Sequence, residues 1–75
     1  MQIAILGAGM VGRAMAIDLA AKYNVTSFDV SEKSLQILTT KNNSIKTIKA
    51  DLCDYSNYNS LLKEFDFVIS AVPGF

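Results

Sequence analysis

Residues 1–12 read MQIAILGAGMVG: a short apolar run from Met1 to Leu6 stops at Gly7, and Gly9 and Gly12 follow at once. An apolar run this short, bounded by glycine, predicts a strand buried on both faces of a parallel sheet. Gly7 ends it where the chain must turn within a few residues, and a residue without Cβ can take the positive φ such turns need. Gly9 removes bulk where a phosphate would approach the backbone. Gly12 falls in the first turn of the next helix and lets that helix pack close on the strands. A helix start leaves N–H groups without acceptors and carries partial positive charge, so it forms an anion seat. With Asp29 standing 17 residues beyond Gly12, the pattern is the G-x-G-x-x-G dinucleotide fingerprint, and the glycine roles are those general to that fingerprint. Three glycines in six residues also occur in ordinary tight loops. A strand before, a helix after and an acid near the expected distance favour binding, and the sequence supplies all three.

Working outward, Met10 to about Lys22 is a nearly all-round apolar helix in which Arg13, Asp18 and Lys22 are the polar exceptions, Lys22 suiting the negative end of the dipole. Met10 and Val11 open this helix at the mouth of the loop, and Met10 reads as a packing residue more than a contact. Asn24 supplies a turn, and Val25 to Phe28 is a β-branched and aromatic run ending at Asp29. Ser31 is a helix N-cap with Glu32 in the favourable first turn; Leu35, Ile37 and Leu38 give the apolar side, and Asn42 and Asn43 end the helix. Ser44 to Ala50 reads as a third strand, and Lys46 and Lys49 place it at a sheet edge, where charge discourages foreign pairing. Asp54 or Ser56 caps a short helix through Leu61, Leu62 and Glu64. Phe67 to Val72 is the fourth strand, broken by Pro73 and Gly74.

The result is an α/β fold: a Rossmann-like, three-layer αβα arrangement with a parallel sheet in the order 3-2-1-4 and right-handed crossovers. A dinucleotide crevice is expected at the reversal between strands 1 and 4. At 75 residues the chain is read as the first part of a doubly wound dinucleotide-binding domain, with no room for a substrate domain.

Seven basic residues balance seven acidic ones, and no Lys/Arg cluster forms a stripe, so nucleic acid is not an expected partner. Cys53 stands alone and reads as a small half-buried apolar residue in a reducing compartment. Histidine is absent, which removes the commonest general base and metal ligand. No basic residue precedes the first apolar run, and no segment approaches the roughly 18 consecutive apolar residues of a membrane span. A soluble cytoplasmic protein without a membrane partner is the expectation. Tyr23, Tyr55 and Tyr58 sit at no strand end and form no Tyr-x-x-x-Lys pair, so they read as surface or packing residues.

The candidate cofactor site comprises Gly7, Ala8, Gly9, Met10, Val11 and Gly12 in the loop and Asp29 after the second strand. An acid there can accept hydrogen bonds from both adenosine ribose hydroxyls, which favours NAD. A 2′-phosphate about 4 Å away would be repelled by about 4 kcal/mol at a surface-like dielectric, before screening. Lys33, one turn into the next helix, can offset part of that repulsion. Asp29 has a plainer reading too, as a turn or cap acid. Asp51 and Leu52 follow the third strand, where the acid can reach adenine's amine and the leucine can cover its ring; acids after strands also cap turns. Ala71, Val72 and Pro73 close the fourth strand and can border the diphosphate and the nicotinamide ribose.

Three segments, Ile5-Leu-Gly-Ala-Gly-Met-Val-Gly-Arg-Ala14, Lys49-Ala-Asp-Leu52 and Val68-Ile-Ser-Ala-Val-Pro-Gly-Phe75, together resemble the N-terminal cofactor domain of saccharopine dehydrogenase-like enzymes, a group that includes lysine 6-dehydrogenases. The glycine motif is shared by many dehydrogenases; the Ala-Val-Pro-Gly-Phe ending discriminates better. The resemblance implies hydride transfer between a nicotinamide cofactor and an amino-acid C–N bond, giving an imine that is then hydrolysed. It matches Gly7, Gly9 and Gly12 to the phosphate loop, Asp29 to the ribose acid, and Val72 and Pro73 to the nicotinamide-side loop. No catalytic residue is assigned and no metal is expected. The small amino-acid substrate would be held by residues outside this chain. An open fourth strand predicts pairing with a second copy, a homo-oligomer, or with further chain.

Two other readings stand beside it. Regulatory nucleotide-sensing domains of potassium-transport proteins share the glycine loop and the acid, and the Ala-Val-Pro-Gly-Phe ending argues against them. Extended short-chain dehydrogenases often carry an acid-Leu pair after the third strand but space their glycines G-x-x-G-x-x-G, which Gly7-Ala8-Gly9 does not.

Overall fold

A computed structural model describes residues 1–50 and 62–71. The elements run β1 (Gln2–Leu6), α1 (Met10–Ala20), β2 (Asn24–Asp29), α2 (Glu32–Lys41), β3 (Lys46–Lys49) and β4 (Phe67–Ser70). The four strands form one parallel sheet in the order β3-β2-β1-β4. Each expected strand is present, and the reversal falls between β1 and β4 as the pattern requires. The expected short helix falls mainly on residues 51–61, outside the described residues.

Burial explains why these segments became strands and helices. Ile3, Ile5 and Val25 face α1 and α2 and pack with Ala8, Ala16, Leu35, Leu38 and Ile45 into one core cluster. On the opposite face Ala4 and Phe28 pack with Leu6, Ala50, Leu62 and Phe65. Phe28 and Phe65 meet edge to face at a centroid distance of 5.8 Å, a favoured aromatic geometry. Strands β1 and β2 are thus covered on both sides, and this accounts for Thr26 and Ser27 being buried in the second run despite their hydroxyls. Ser27 Oγ has no hydrogen-bond partner among the described residues.

Helix α1 departs from the sequence expectation in two respects. Its apolar residues do not all pack: Gly12 and Ala16 are buried with Met15, Leu19 and Ala20 half-buried beside them, a stripe at i+3/i+4 spacing. Met10, Val11 and Ile17 lie on the other side, and Met10 is 81% exposed, so it is not a packing residue here. The helix also stops at Ala20, where the Lys22 N–H shares the Leu19 carbonyl with Tyr23 through a tighter i→i−3 bond of the kind found at helix ends. Lys22 therefore lies just past the helix end. Helix α2 follows its signals closely, with Ser31 as N-cap, Glu32 in the first turn and Asn42 as C-cap.

The two sheet edges differ. Strand β3 carries exposed Lys46 and Lys49, an edge guarded by charge. Strand β4 pairs only with β1 among the described residues and exposes Phe67 (56%) and Val68 (43%).

Candidate dinucleotide site

The loop between β1 and α1 is shaped by contacts on both sides. Gly7 has φ 107°, in the left-handed region, as its place in the turn predicts. Its N–H donates to the Phe28 carbonyl oxygen at 2.7 Å, which carries the β1–β2 ladder one step beyond β1. Gly12 closes the loop from below: a Cβ built there would collide with the Gly7 carbonyl oxygen and lie 2.9 Å from its carbon and 3.4 Å from the Ala71 Cβ. The third glycine is therefore required by packing, and the same contact brings Ala71, at the end of β4, to the loop.

Gly9 behaves differently. Its φ of −70° and ψ of −169° are open to any residue, and a Cβ there would meet nothing within 4 Å among the described residues. Neither its backbone nor its neighbours demand a glycine. The space it leaves lies at the helix start, where Gly9 is the N-cap and offers no side-chain hydrogen bond. The first intrahelical bond there is Arg13 N–H to the Gly9 carbonyl at 2.8 Å. The N–H groups of Gly9, Met10, Val11 and Gly12 thus find no acceptor among the described residues. Helix α2 shows the contrast: the Ser31 hydroxyl oxygen accepts from Ser34 N–H at 3.3 Å, and Glu32 adds negative charge. One helix start is capped by its own side chain, whereas the other is left open, without an acidic residue in its first turn.

Asp29 is brought to the same loop and is already engaged. Its Oδ2 accepts the Ala8 N–H at 2.6 Å and its Oδ1 accepts the Ser31 N–H at 2.8 Å. Its main-chain oxygen accepts the Ala50 N–H at 2.9 Å. The turn-acid reading and the ribose reading are compatible, since a carboxylate has about four acceptor positions and two are taken. The Asp29-to-Ser31 bond is an Asx turn, and Asp-x-Ser ahead of a helix is its sequence signal. The Asp29-to-Ala8 bond had no local signal, because 21 residues separate the partners.

Gly7 and Ala8 consequently shape the loop, their N–H groups being taken within the protein, and the amides left for an anion begin at Gly9. Asp51, Leu52, Val72 and Pro73 lie outside the described residues. Lys33 is exposed in the first turn of α2. Elsewhere, a shallow hollow of about 580 Å³ lies between α2 and β3, lined by Glu32, Gln36, Thr39, Thr40, Thr47 and Lys49 among others. Its threonine hydroxyls at 39 and 40 donate to carbonyls four residues back, and Lys49 approaches Glu32 at 4.0 Å. Both of these hydroxyls are thus engaged by the helix's own backbone, and among the described residues the hollow has no open run of main-chain N–H groups such as the loop offers. No group of metal-ligating side chains occurs among the described residues, and none of their helices is long and apolar enough to cross a membrane.

Sheet order, open helix start and acid at the end of β2 define a dinucleotide-binding domain of the Rossmann class. The family model described as "Saccharopine dehydrogenase NADP binding domain" matches residues 3–75, and the chain belongs to that family. Among solved structures, apo saccharopine dehydrogenase (L-Glu forming) from Saccharomyces cerevisiae matches with a TM-score of 0.81 and 32% identity, over 96% of this chain and 16% of that one. A 3-hydroxyacyl-CoA dehydrogenase from Archaeoglobus fulgidus matches with a TM-score of 0.76 and 30% identity, over 96% of this chain and 24% of the other. Protein CapL of Staphylococcus aureus is 35% identical over 78 residues, which is 95% of this chain and 18% of CapL. The chain therefore spans less than a fifth of the curated relative it matches. The potassium-transport sensor reading draws no support from these relatives.

Proposed function

We propose that this chain is the cofactor-binding module of a longer cytoplasmic amino-acid dehydrogenase, with the substrate-holding residues on further chain. The single observation that carries the reading is Gly9. A glycine that none of the described residues requires, at the one helix start among them kept free of side-chain caps, is explained by an occupant that must come close to the backbone. In this reading the diphosphate sits on the N–H groups of Gly9, Met10, Val11 and Gly12. The free acceptor positions of Asp29 take the adenosine ribose, Asp51 and Leu52 border adenine, and Ala71, Val72 and Pro73 line the nicotinamide side. When bound, the cofactor would exchange hydride at a C–N bond of a small amino acid; the likeness to saccharopine dehydrogenase supports that substrate class. A second copy of the chain is the proposed partner for the exposed edge of β4, and neither nucleic acid nor a membrane is proposed as a partner.

NAD is the proposed cofactor, although the family description names NADP. Asp29 favours NAD because its carboxylate is held by two backbone N–H groups and cannot swing away from a 2′-phosphate without breaking them; Lys33 is the residue that works the other way. Titration of the chain with NADH and with NADPH, followed by nicotinamide fluorescence, tests both levels. The expected result is NADH binding at least about tenfold tighter, what remains of the Coulomb penalty after screening. Equal affinities would remove the argument from Asp29, and no binding of either would remove the module reading itself.

A further inference from the structure

We propose that Asp29 is a positioning residue for the phosphate loop: by holding the Ala8 and Ser31 N–H groups on one carboxylate, it sets the loop in the shape that receives a diphosphate, apart from any contact with ribose. The inference rests on the reading of the loop as a diphosphate seat and deepens it. Among the described residues three contacts fix the loop: Gly7 N–H on the Phe28 carbonyl, Ala8 N–H on the Asp29 carboxylate, and Gly12 against the Gly7 carbonyl. Only the middle one is made by a side chain. At 2.6 Å it is the shorter of the two hydrogen bonds, in keeping with a charged acceptor. Ala8 is fully buried with Asp29 in place, so the carboxylate is the acceptor that its N–H has in the fold. The second oxygen ties the same side chain to the start of α2, and the Asp29 main-chain oxygen ties it to Ala50 beyond β3. Asp29 thereby joins the phosphate loop to the two elements that follow β2.

The two roles of Asp29 make opposite predictions for a diphosphate that carries no ribose. If Asp29 serves ribose alone, neutralising it removes a negative charge near an anion seat, and inorganic pyrophosphate binds as well or better. If Asp29 positions the loop, neutralising it weakens pyrophosphate binding. Asparagine tests this well, because its amide offers one accepting oxygen where two N–H groups need one each. The experiment is calorimetric titration of the unmutated chain and of Asp29→Asn with inorganic pyrophosphate and with NADH, circular dichroism confirming that both are folded at the assay temperature. Amide hydrogen exchange at Ala8 and Ser31 is followed by NMR.

The expected result is at least a tenfold loss of pyrophosphate affinity in Asp29→Asn, with faster exchange at Ala8 and Ser31. Pyrophosphate binding equal to or tighter than that of the unmutated chain overturns the proposal. Should Asp29→Asn fail to fold, the unmutated chain still decides: Ala8 must exchange markedly more slowly than Gly9 and Met10, and comparable rates at all three overturn the proposal. An unmutated chain that binds neither pyrophosphate nor NADH refutes the loop reading and the positioning role with it. One that binds both, while Asp29→Asn keeps its pyrophosphate affinity, refutes the positioning role alone.

Discussion

Replacing Gly9 by serine should separate folding from binding in a single residue. The backbone at Gly9, φ −70° and ψ −169°, is that of an ordinary N-cap, and a side chain there meets nothing within 4 Å among the described residues. Serine narrows the unfolded ensemble by about 0.4–1 kcal/mol relative to glycine, and its hydroxyl adds a few tenths as an N-cap. The chain should therefore gain about 0.5–1.5 kcal/mol, roughly 2–12 °C in Tm for a domain of this size. The same hydroxyl accepts the N–H of Val11 or Gly12 and fills the approach to the loop. Losing one hydrogen bond to a charged phosphate costs about 1.5–3 kcal/mol, so NADH affinity should fall by about tenfold to a hundredfold. Urea unfolding and NADH titration on the same preparation read both effects. Gly12→Ala is the opposite control, because its Cβ runs into the Gly7 carbonyl; it should lose about 1–3 kcal/mol of stability. Undiminished NADH binding in Gly9→Ser, or a fall in its stability like that of Gly12→Ala, would refute the assignment of the open amides to the cofactor.

Other substitutions test the frame that carries the loop. Ser27→Ala removes a fully buried hydroxyl with no partner among the described residues; it should leave stability unchanged or raise it by about 1 kcal/mol, seen as a higher urea midpoint. Phe28→Ala empties a fully buried site and removes the edge-to-face contact with Phe65. A cost of about 3–5 kcal/mol is a large share of what so small a domain possesses, so circular dichroism should show the chain largely unfolded at 37 °C. Replacing Lys46 and Lys49 together by valine takes the charge off the β3 edge and should shift sedimentation velocity toward larger species. Lys49→Gln alone breaks only a 4.0 Å pair between side chains that are 62% and 69% exposed, and the urea midpoint should move by less than about 0.5 kcal/mol equivalent.

The strand order could be read from the sequence because its signals were local and mutually consistent. Gly7 punctuated β1, Ser31 and Asn42 bounded α2, and the lysines of β3 marked an edge; each feature depends on neighbours within a few residues. What stayed hidden was tertiary. Counting apolar residues in α1 does not tell which side packs, so Met10 at the loop mouth reads as packing more than contact although the helix turns it to solvent. Ser27 looked like a strand residue of no particular fate, and its burial follows only once both faces of β2 are covered. The glycines divide in a way spacing alone does not reveal: among the described residues Gly7 serves the turn, Gly12 serves packing, and Gly9 serves neither. Asp29 was legible as an acid at the expected place, yet its bond to Ala8 spans 21 residues and emerges only from the fold.

The contact of Gly12 with the Gly7 carbonyl also bears on how fast a ligand can arrive. A receptor surface fixed by backbone packing has no closed form to escape first, so capture should be a one-step event. In stopped-flow mixing, the observed rate should climb linearly with nucleotide concentration without reaching a ceiling, its intercept giving the rate of departure.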